Sequence, residues 1–443
     1  MSTLNLEKYK LSRYNIVANS EKLGVIAFNT RTGALNILED IRLADTFTRA
    51  NERDDPTCLA IVSEYVETLI QEGYLIERGI DEMDLLFTRS LVGRTAREII
   101  LSIMLTLRCN FRCWYCFEPH PLVDMSESVE KSILAYISKH AGKTDAIRTD
   151  WYGGEPLIRW KQLQRMNTEI ARIADATGVP YFTAITTNGY LLTPVKLDYF
   201  AKFNVEQFQI TLDGGPITHN RSRILSDGRP TFNRILQNMA DTVERGMHVS
   251  LRVNMHREML DIDILALYDI LDARGLKNRV SIILRPALSG QVNPCEERVM
   301  GMQEFATAMM RISNIAAQKG WIVFPPANTI QASSFCVVDC TGQFIIDPWG
   351  NLYKCGEQFT PEERVGKILE DGTAEIDMPR WSSWVGKNPL HFAECRECQW
   401  LPLCQGGCSM KRKWTTHAPC IEEKFSPDQY VETLALSEMN RNS

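Results

Sequence analysis

The chain has 443 residues, of which 44% are hydrophobic and 23% are charged, and its formal net charge is -6. That length allows two or three domains with buried cores, and the acidic balance argues against a protein that mainly binds the backbone of nucleic acids. The start lacks the apolar segment of a signal peptide, and no apolar run reaches the roughly 18 residues of a membrane span, so we expect a cytoplasmic protein without a membrane partner.

Residues 1–94 are the first predicted domain. "RYNIVANSEKLGVIAFNTRTGALNIL" contains two β-rich runs around turn residues, which predicts a hairpin. Two helical stretches follow, near "DIRLADTFTRA" and "CLAIVSEYVETLIQEG", and then a strand-like "YLIER". This order resembles a winged helix. The segment carries 11 basic and 15 acidic residues, so we expect a docking or structural module rather than a DNA-binding one.

Residues 95–322 are the second predicted domain, in which strand and helix patterns alternate. Amphipathic helical segments separate six strand-like runs, and a long helix, "QEFATAMMRISNIAAQKG", follows the last of them. The six runs are "EIILSIMLTL", "IRTDWY", "YFTAITT", "VEQFQITL", "HVSLRVN" and "RVSIILRP". Six strand-then-helix units in a row indicate an α/β fold with a parallel sheet, either open or curled into a partial barrel.

Each predicted strand is followed by a polar or glycine-containing element. In chain order these are a three-cysteine loop, "GGEP" (153–156), "TNG" (187–189), Asp213 with "HNRSR", Asn254, and Arg285 with Pro286. One such element is an ordinary turn. Six of them at the carboxyl ends of parallel strands predict a binding rim. The "GGE" backbone with Glu155 suits an ammonium group, and Arg221 or Arg223 suits a carboxylate, which together describe an amino-acid ligand.

The stretch "RCNFRCWYCFEP" places Cys109, Cys113 and Cys116 within eight positions. A disulfide explains this poorly, because three is an odd number and the gaps are short. A structural zinc site normally has four ligands in two pairs. Eleven of the 13 cysteines fall into two groups, 109–116 and 336–420, and such grouping in a reducing compartment indicates metal or redox chemistry. Three thiolates on an iron–sulfur cluster, with one iron left open, explain the stretch better.

The Cys-x3-Cys-x2-Cys loop after the first strand and "GGEP" after the second resemble the radical S-adenosylmethionine (SAM) superfamily over about residues 98–310. The resemblance implies a partial (β/α)6 TIM-type barrel and a [4Fe–4S] cluster that is held by the three cysteines and chelated by SAM. An electron from a donor such as flavodoxin or ferredoxin then cleaves SAM, and the resulting 5′-deoxyadenosyl radical abstracts a hydrogen atom from the substrate. No catalytic side chain is predicted. The resemblance also implies a set of residues that contact SAM, namely Tyr115, Phe117, Gly153, Gly154, Glu155, Thr187, Asn188, Asp213, Arg223 and Asn254.

Residues 323–443 are the third predicted domain and are rich in cysteine. Its paired cysteines alone are compatible with a zinc ribbon. The whole spacing resembles the SPASM domain of radical SAM enzymes, which implies two auxiliary [4Fe–4S] clusters and therefore three clusters in all. By that resemblance the outer cluster is held by Cys395, Cys398, Cys404 and Cys420, and the inner one by Cys340, Cys355 and Cys408. Cys336 is the candidate fourth inner ligand, although it lies only four residues before Cys340; without it the inner cluster has an open iron. Cys58 and Cys295 fit no pattern and are expected to be buried.

Residues 14–80 resemble, in element order, the module with which some maturases of ribosomally made peptides bind the leader of their precursor. In such modules the leader adds a strand to a sheet edge. The leading prediction is therefore a maturase that closes a thioether or carbon–carbon crosslink in a precursor peptide. An anaerobic sulfatase maturase, which forms formylglycine, and a peptide epimerase are the alternatives within this class. A redox regulator without turnover is the alternative outside it, and the amino-acid-binding rim argues against a regulator.

Overall fold

The computed structural model describes residues 6–50, 63–289, 295–329 and 336–443. The chain divides into two compact units. One contains residues 1–94, 306–336 and 387–443, and the other contains residues 95–305 and 337–386. The first predicted boundary, after residue 94, coincides with a unit boundary, whereas residues 323–443 are shared between both units. The three-domain division stays a prediction.

The first unit begins with short antiparallel strands: β1 (Tyr9–Leu11), β2 (Asn15–Ser20), β3 (Gly24–Asn29), β4 (Leu35–Leu38) and β5 (Leu75–Glu77). Strands β2, β3 and β4 form one sheet in that order, and β1 pairs with β5. The predicted hairpin is confirmed as β2 and β3, whose tight turn ends at Gly24 with φ of 76°. The predicted strand in "YLIER" is confirmed as β5. The winged-helix resemblance stays a prediction.

Three helices of the described residues belong to this N-terminal region: α1 (Ile41–Ala50), α2 (Val66–Gln71) and α3 (Glu82–Arg94). Of the predicted stretch "CLAIVSEYVETLIQEG", residues 58–62 lie outside the described residues, and the remainder contains α2. Leu43, Phe47, Leu69 and Tyr74 pack with Ala27 of β3 in one apolar core. The helices therefore cover one face of the small sheet.

The second unit contains the predicted parallel strands: β6 (Glu98–Met104), β7 (Ala146–Tyr152), β8 (Tyr181–Thr187), β9 (Val205–Thr211), β10 (Val249–Met255) and β11 (Val280–Pro286). They follow one another in chain order across the sheet, and each neighbouring pair is parallel. The prediction of six parallel strands is thus confirmed. The sheet is open, because β11 is one of its edges.

Helices follow these strands as the sequence patterns predict: α4 (Glu127–Ala141), α5 (Trp160–Thr177), α6 (Pro194–Phe200), α7 (Pro216–Ser222), α8 (Phe232–Glu244), α9 (Asp261–Ala273) and α10 (Met302–Gln318). Helix α4 shows why they form where they do. The Ser126 side chain accepts a hydrogen bond from the Val129 N–H at its start, Glu127 and Glu130 lie in its first turn, and Lys139 lies in its last.

The sheet continues beyond β6 with short strands, as expected for this segment, although their positions and pairing were not predicted: β12 (Gln343–Ile346), β13 (Asn351–Tyr353), β14 (Gly366–Ile368) and β15 (Ala374–Ile376). Strand β12 lies parallel to β6, and β12, β13, β14 and β15 form an antiparallel meander. The remaining helices are α11 (Met378–Val385), α12 (Ala393–Arg396), α13 (Leu401–Cys404), α14 (Ser409–Trp414) and α15 (Pro427–Arg441). Among the described helices, none combines the length and the apolar composition that a membrane crossing requires.

Side chains alternate across the sheet, as strand geometry requires. On β7, Trp151 is fully buried and its Nε1 donates to Asn167 Oδ1 of α5 at 3.2 Å, so this face is covered by helices. Arg148, Asp150 and Tyr152 point to the opposite face and are only partly buried. We call that opposite face of β6–β11 the inner face.

Candidate functional site

The loop with Cys109, Cys113 and Cys116 follows β6 and is held by backbone hydrogen bonds. Phe111 forms an antiparallel bridge with Leu225, and the Arg112 N–H donates to the Ile224 carbonyl at 3.0 Å. The Cys116 N–H donates to the Cys113 carbonyl at 3.2 Å, which turns the loop between these two cysteines. These backbone hydrogen bonds fix the shape of the loop.

The three thiols lie close enough to affect one another. Burial raises the pKa of all three, that of Cys116 to about 12, and each feels the charge of at least one neighbouring acid or thiol. Within the described ranges, no group of three or more Cys, His, Asp or Glu side chains is arranged to hold a single metal ion. A four-iron cluster differs, because each thiolate binds its own iron and the ligands stand further apart. Coordination would also supply the positive charge that these buried thiolates need.

Gly153 and Gly154 pack directly on the strand end that leads into the cysteine loop. The Gly154 and Glu155 N–H groups donate to the carbonyls of Thr106 and Arg108 at 3.1 and 2.9 Å. Gly153 has φ of +97°, and a Cβ there would lie 2.6 Å from the Thr106 oxygen; a Cβ at Gly154 would lie 2.4 Å from the Arg108 oxygen. Both positions therefore require glycine, whatever they contact in a bound cofactor.

Glu155 is fully buried, and its carboxylate joins the "GGEP" loop to the loop after β8. It accepts hydrogen bonds from Thr187 Oγ1 at 2.8 Å, from the Asn188 N–H at 2.9 Å and from the Leu157 N–H at 3.0 Å. The Asn188 side chain in turn donates to Asn110 Oδ1 at 2.8 Å and lies 3.9 Å from Cys109 Sγ. Glu155 thus positions Asn188 beside the cysteine loop, and the ammonium contact that the sequence suggested for it stays a prediction.

Four of the predicted contact residues converge in one buried hydrogen-bond network. Arg223 Nη1 and Asn254 Nδ2 donate to the Tyr115 hydroxyl at 2.7 and 3.1 Å, and that hydroxyl donates to Asp213 Oδ2 in a short hydrogen bond. The Asn254 N–H donates to Asp213 Oδ1 at 2.9 Å. Phe117 is partly buried on the loop after Cys116. The residues of the network come from the cysteine loop and from the ends of β9, α7 and β10, so the strand ends do meet at one rim.

His219 and Thr231 hold this network and were not singled out from the sequence. The Asp213 N–H donates to His219 Nδ1 at 3.1 Å, and His219 Nε2 lies 3.0 Å from Thr231 Oγ1. Thr231 Oγ1 also lies 2.6 Å from the Arg223 carbonyl. Burial lowers the pKa of His219 well below its ordinary value, so its ring stays neutral and can accept from the Asp213 N–H. His219 lies in the "HNRSR" segment after the fourth strand, which was the available signal.

The inner face carries ionisable side chains that were also missed. Burial raises the pKa of Asp150 to about 7, and hydrogen bonds from the side chain and backbone of Thr186 oppose that shift, the Oγ1 contact being 3.3 Å long. Burial raises the pKa of Glu118 to about 7 as well, opposed by a hydrogen bond from Tyr152. The alternation of charged and apolar residues in "RTDWY" predicts a polar inner face on β7, because strand faces repeat every two residues. The sequence contains this signal.

Four cysteines of the C-terminal group lie together in the first unit. Burial raises the pKa of Cys395 to about 12 and that of Cys404 to about 11, and nearby thiols, including Cys398 and Cys420, contribute to both shifts. Lys424 Nζ lies 3.6 Å from Cys420 Sγ. These are the predicted outer ligands, and a cation beside clustered thiols suits an anionic metal–thiolate group. Their role as ligands stays a prediction.

Cys340 and Cys355 flank the hairpin of β12 and β13, which brings them to its open end. The buried Lys354 fixes that end by donating to the carbonyls of Cys340 at 2.6 Å and Gln343 at 2.7 Å. Cys408 belongs to the other unit and is exposed at the start of α14, and Cys336 is partly buried. The inner set therefore stays a prediction. Cys295 is buried as expected, and Cys58 lies outside the described residues.

Comparisons with known proteins agree with this geometry. The family model of the radical SAM superfamily matches residues 103–271. The chain is 23% identical over 319 residues to the serine-type anaerobic sulfatase-maturating enzyme of Klebsiella aerogenes, covering 68% of this chain and 76% of that one. It is 20% identical over 436 residues to the radical SAM cyclopropyl synthase TigE of Paramaledivibacter caminithermalis, covering 90% and 84%.

Structural similarity supports the same fold. The solved structure of native anSMEcpe with bound AdoMet superposes with a TM-score of 0.61 at 17% identity, over 77% of this chain and 99% of that chain. Proteins of the radical SAM family use SAM and a [4Fe–4S] cluster, and the cysteine loop, the "GGEP" loop and the buried network occupy the rim where the motifs predicted such a site. On these grounds the chain is an enzyme with a radical SAM domain.

Proposed function

We propose that the chain is a maturase that modifies a ribosomally made precursor peptide. The observation that carries this proposal is the extent of the alignment with the cyclopropyl synthase. That alignment covers 90% of the chain and leaves about 44 residues outside, so it includes part of the first 94 residues. The alignment with the sulfatase-maturating enzyme covers 68% and leaves about 142 residues outside. We take the N-terminal region as the feature that distinguishes the two candidate functions.

A cavity beside the small N-terminal sheet suits the docking of a peptide leader. It has a volume of about 280 Å³ and is lined by residues 36–40 of the β4 region and by side chains of α1 and α2, including Leu43, Phe47 and Leu69. Strand β4 is the edge of its sheet, and among the described residues no strand pairs with its outer side. An added strand would find unpaired backbone groups there and apolar side chains below.

The walls of this cavity carry acidic groups, which bear on the leader's composition. Glu39, Asp40 and Glu72 line it. The side chain and backbone N–H of Arg42 hold the pKa of Asp40 well below its usual range, and the Arg42 ion pair compensates its charge, so Glu39 and Glu72 are the acidic groups that bear on a ligand. Asn36 of β4 donates to Glu72 at 2.6 Å. We therefore expect a leader with apolar side chains flanked by lysine or arginine.

The chemistry that fits this proposal is formation of a thioether or carbon–carbon crosslink. Cys109, Cys113 and Cys116 would hold the cluster that binds SAM, and SAM would supply a 5′-deoxyadenosyl radical able to take one hydrogen atom from the peptide. The second hydrogen leaves the peptide as a proton and an electron, and the electron needs an acceptor. The Cys395, Cys398, Cys404 and Cys420 set would hold one auxiliary cluster that can accept it. Cys340, Cys355 and Cys408, with Cys336 as the candidate fourth ligand, would hold the second.

The test of the reaction is the mass of a short peptide encoded beside this gene after anaerobic co-expression with the enzyme. A loss of two hydrogens per modified site supports a crosslink, and cysteines that no longer react with an alkylating reagent identify a thioether. A peptide of unchanged mass that takes up deuterium from heavy water would indicate epimerisation. A peptide with neither change contradicts the maturase proposal for that substrate.

Docking is best tested with a point substitution, because the N-terminal region packs against the C-terminal segment of the same unit. Tyr14 and Leu86 share a core with Phe392 and Leu401, so removal of residues 1–90 would expose that core. Ile37 lies on β4 at the cavity and is 40% exposed, and Ile80 is 36% exposed and does not line the cavity. We expect Ile37→Glu to weaken binding of the co-expressed peptide about tenfold and Ile80→Glu to leave it unchanged. Equal effects of both substitutions would contradict docking at β4.

A sulfatase-maturating activity is the second candidate, because relatives with that name share 23% identity over 319 residues. It requires a cysteine or serine in a sulfatase peptide to be oxidised to formylglycine. The enzyme can be incubated with synthetic peptides that carry either residue in a sulfatase motif. An aldehyde that reacts with a hydrazide reagent would favour this activity over crosslinking.

A further inference from the structure

Two arginines share the inner face of the sheet at its β11 edge. In the register of the parallel strands β10 and β11, Arg252 lies beside Ile283 and Arg285 lies beside Asn254. Paired residues point to the same face, and that face repeats every two residues along a strand. Arg252, Asn254 and Arg285 therefore point to the same side. Asn254 contacts Tyr115 there, so both guanidinium groups face the side on which the cysteine loop lies.

Neither guanidinium is neutralised by a carboxylate in an ion pair among the residues that the structure describes. Arg252 Nε donates to Asn254 Oδ1 at 2.7 Å, and Arg285 Nη1 reaches only the Leu284 carbonyl at 3.4 Å. Burial lowers the pKa of Arg252, the positive charge of Arg285 lowers it further, and the charges of Tyr152 and Glu357 oppose this. Arg148, further down the same face, is by contrast paired with Glu98 and Glu206.

Two neighbouring like charges on rigid strands are an unfavourable arrangement unless an anion joins them. An arginine fork binds a carboxylate through two parallel N–H···O hydrogen bonds, and a partly buried site strengthens that attraction. The strands fix the backbone positions of both arginines, and Asn254 also holds the Arg252 side chain, which reduces the entropy lost on binding. The pair is therefore organised for a carboxylate that the described residues do not supply.

Nearby groups indicate that this ligand is a peptide rather than a free anion. The charges of Glu118, Glu357 and Arg252 act on Tyr152, which places these side chains near one another. Glu118 is only 7% exposed, and its Oε2 has no hydrogen-bond partner in the described part of the chain. A buried acceptor without a donor is costly, and a backbone N–H of a bound peptide would satisfy it.

We propose that Arg252 and Arg285 bind a carboxylate of the substrate peptide, an aspartate or glutamate side chain close to the residue that is modified. This inference rests on the proposed maturase function and adds the chemistry by which the enzyme selects its site. SAM also carries a carboxylate, and the experiment must separate the two sources.

The test measures binding of two small probes to the anaerobically reconstituted enzyme by saturation-transfer NMR. The probes are N-acetyl-L-glutamic acid methylamide and its glutamine counterpart, which differ only in charge. We expect a stronger saturation-transfer signal from the glutamate probe than from the glutamine probe, whether or not SAM is present at a saturating concentration. The double variant R252Q/R285Q should lose this preference, with an affinity about tenfold lower. R274Q, at an exposed arginine that follows α9, should keep it.

Three outcomes would overturn the inference. They are equal saturation of the two probes by the wild-type enzyme, an unchanged preference in R252Q/R285Q, and displacement of the glutamate probe by SAM, which would assign the pair to the cofactor. If the double variant does not fold, the single variant R285Q, at the exposed arginine, replaces it. R285Q should reduce, but not abolish, the preference for the glutamate probe over the glutamine probe. Probe binding needs no turnover, so an unmodified precursor peptide together with a normal probe preference would contradict the proposed function and not the anion site.

Discussion

Arg223 Nη1 donates to the Tyr115 hydroxyl at 2.7 Å across a sequence separation of 108 residues. This contact joins the cysteine loop to the segment after β9, and Asn254 and Asp213 complete it from two other strand ends. The Tyr115 hydroxyl is the shared member, with two donors and one acceptor around it. The network therefore orients the loop of the predicted cluster cysteines.

Tyr115→Phe should destabilise the protein by about 1–3 kcal/mol, because Arg223, Asn254 and Asp213 each lose a partner in a buried site. Urea denaturation of the reconstituted enzyme measures this. Tyr136 is the matched control, since it is a buried tyrosine that packs against His140 with ring centroids 4.7 Å apart. A loss no larger than that of Tyr136→Phe would contradict the importance of the hydroxyl.

Replacement of Cys109, Cys113 and Cys116 by alanine should abolish SAM cleavage, because the chelating cluster loses its ligands. Formation of 5′-deoxyadenosine under a strong reductant is the measurement, together with the iron content. Cys295 is buried and lies outside both cysteine groups, so Cys295→Ala should retain cleavage and iron. Cleavage that survives in the triple variant would disprove the ligand assignment.

Gly153→Ala should destabilise the radical SAM domain by about 2 kcal/mol or more. The added Cβ would lie 2.6 Å from the Thr106 oxygen, and φ of +97° disfavours any side chain. A fall in Tm with loss of bound iron is the expected result. At Gly142, after α4, nothing lies within 4 Å of an added Cβ, so Gly142→Ala should change Tm little. Similar Tm values for the two variants would contradict this packing argument.

The stability of the enzyme should depend on pH through Asp150, whose pKa burial raises from 3.8 to about 7. Between these two values the folded chain keeps a proton that the unfolded chain releases. Stability therefore falls as pH rises through this window and is constant above it. Asparagine cannot lose a proton, so Asp150→Asn should raise Tm relative to the wild type, by more at pH 8 than at pH 5.5, on the order of a few degrees.

The control for this prediction is Asp175→Asn on the exposed end of α5. Its Tm difference from the wild type should be the same at both pH values. If Asp150→Asn behaves in the same way, the carboxyl group of Asp150 is charged in the folded protein across this range, and the assigned burial effect is wrong.

Local patterns in the sequence predicted most of the second unit. The six strands β6–β11 and their helices appear where alternation and 3.6-residue periodicity place them, because each pattern depends on residues a few positions apart. Short strands were expected after about residue 325, but the positions and pairing of β12–β15 were not predicted, since these strands are only three or four residues long. Short strands form mainly through pairing with a neighbour, here β12 on β6, which local pattern does not contain.

The sequence by itself determined the chemistry: three thiols at a spacing that suits one cluster, a glycine pair after the next strand, and a second group of cysteines. Only the tertiary structure decided which side chains act together. Glu155 accepts from Thr187 and Asn188, and the Tyr115 hydroxyl joins Arg223, Asp213 and Asn254. Arg252 and Arg285 share one face of the sheet and have no ion pair within the described residues. The reason is physical, because spacing along the chain is set by covalent geometry, whereas these contacts depend on strand register and on the burial of groups that are distant in the sequence.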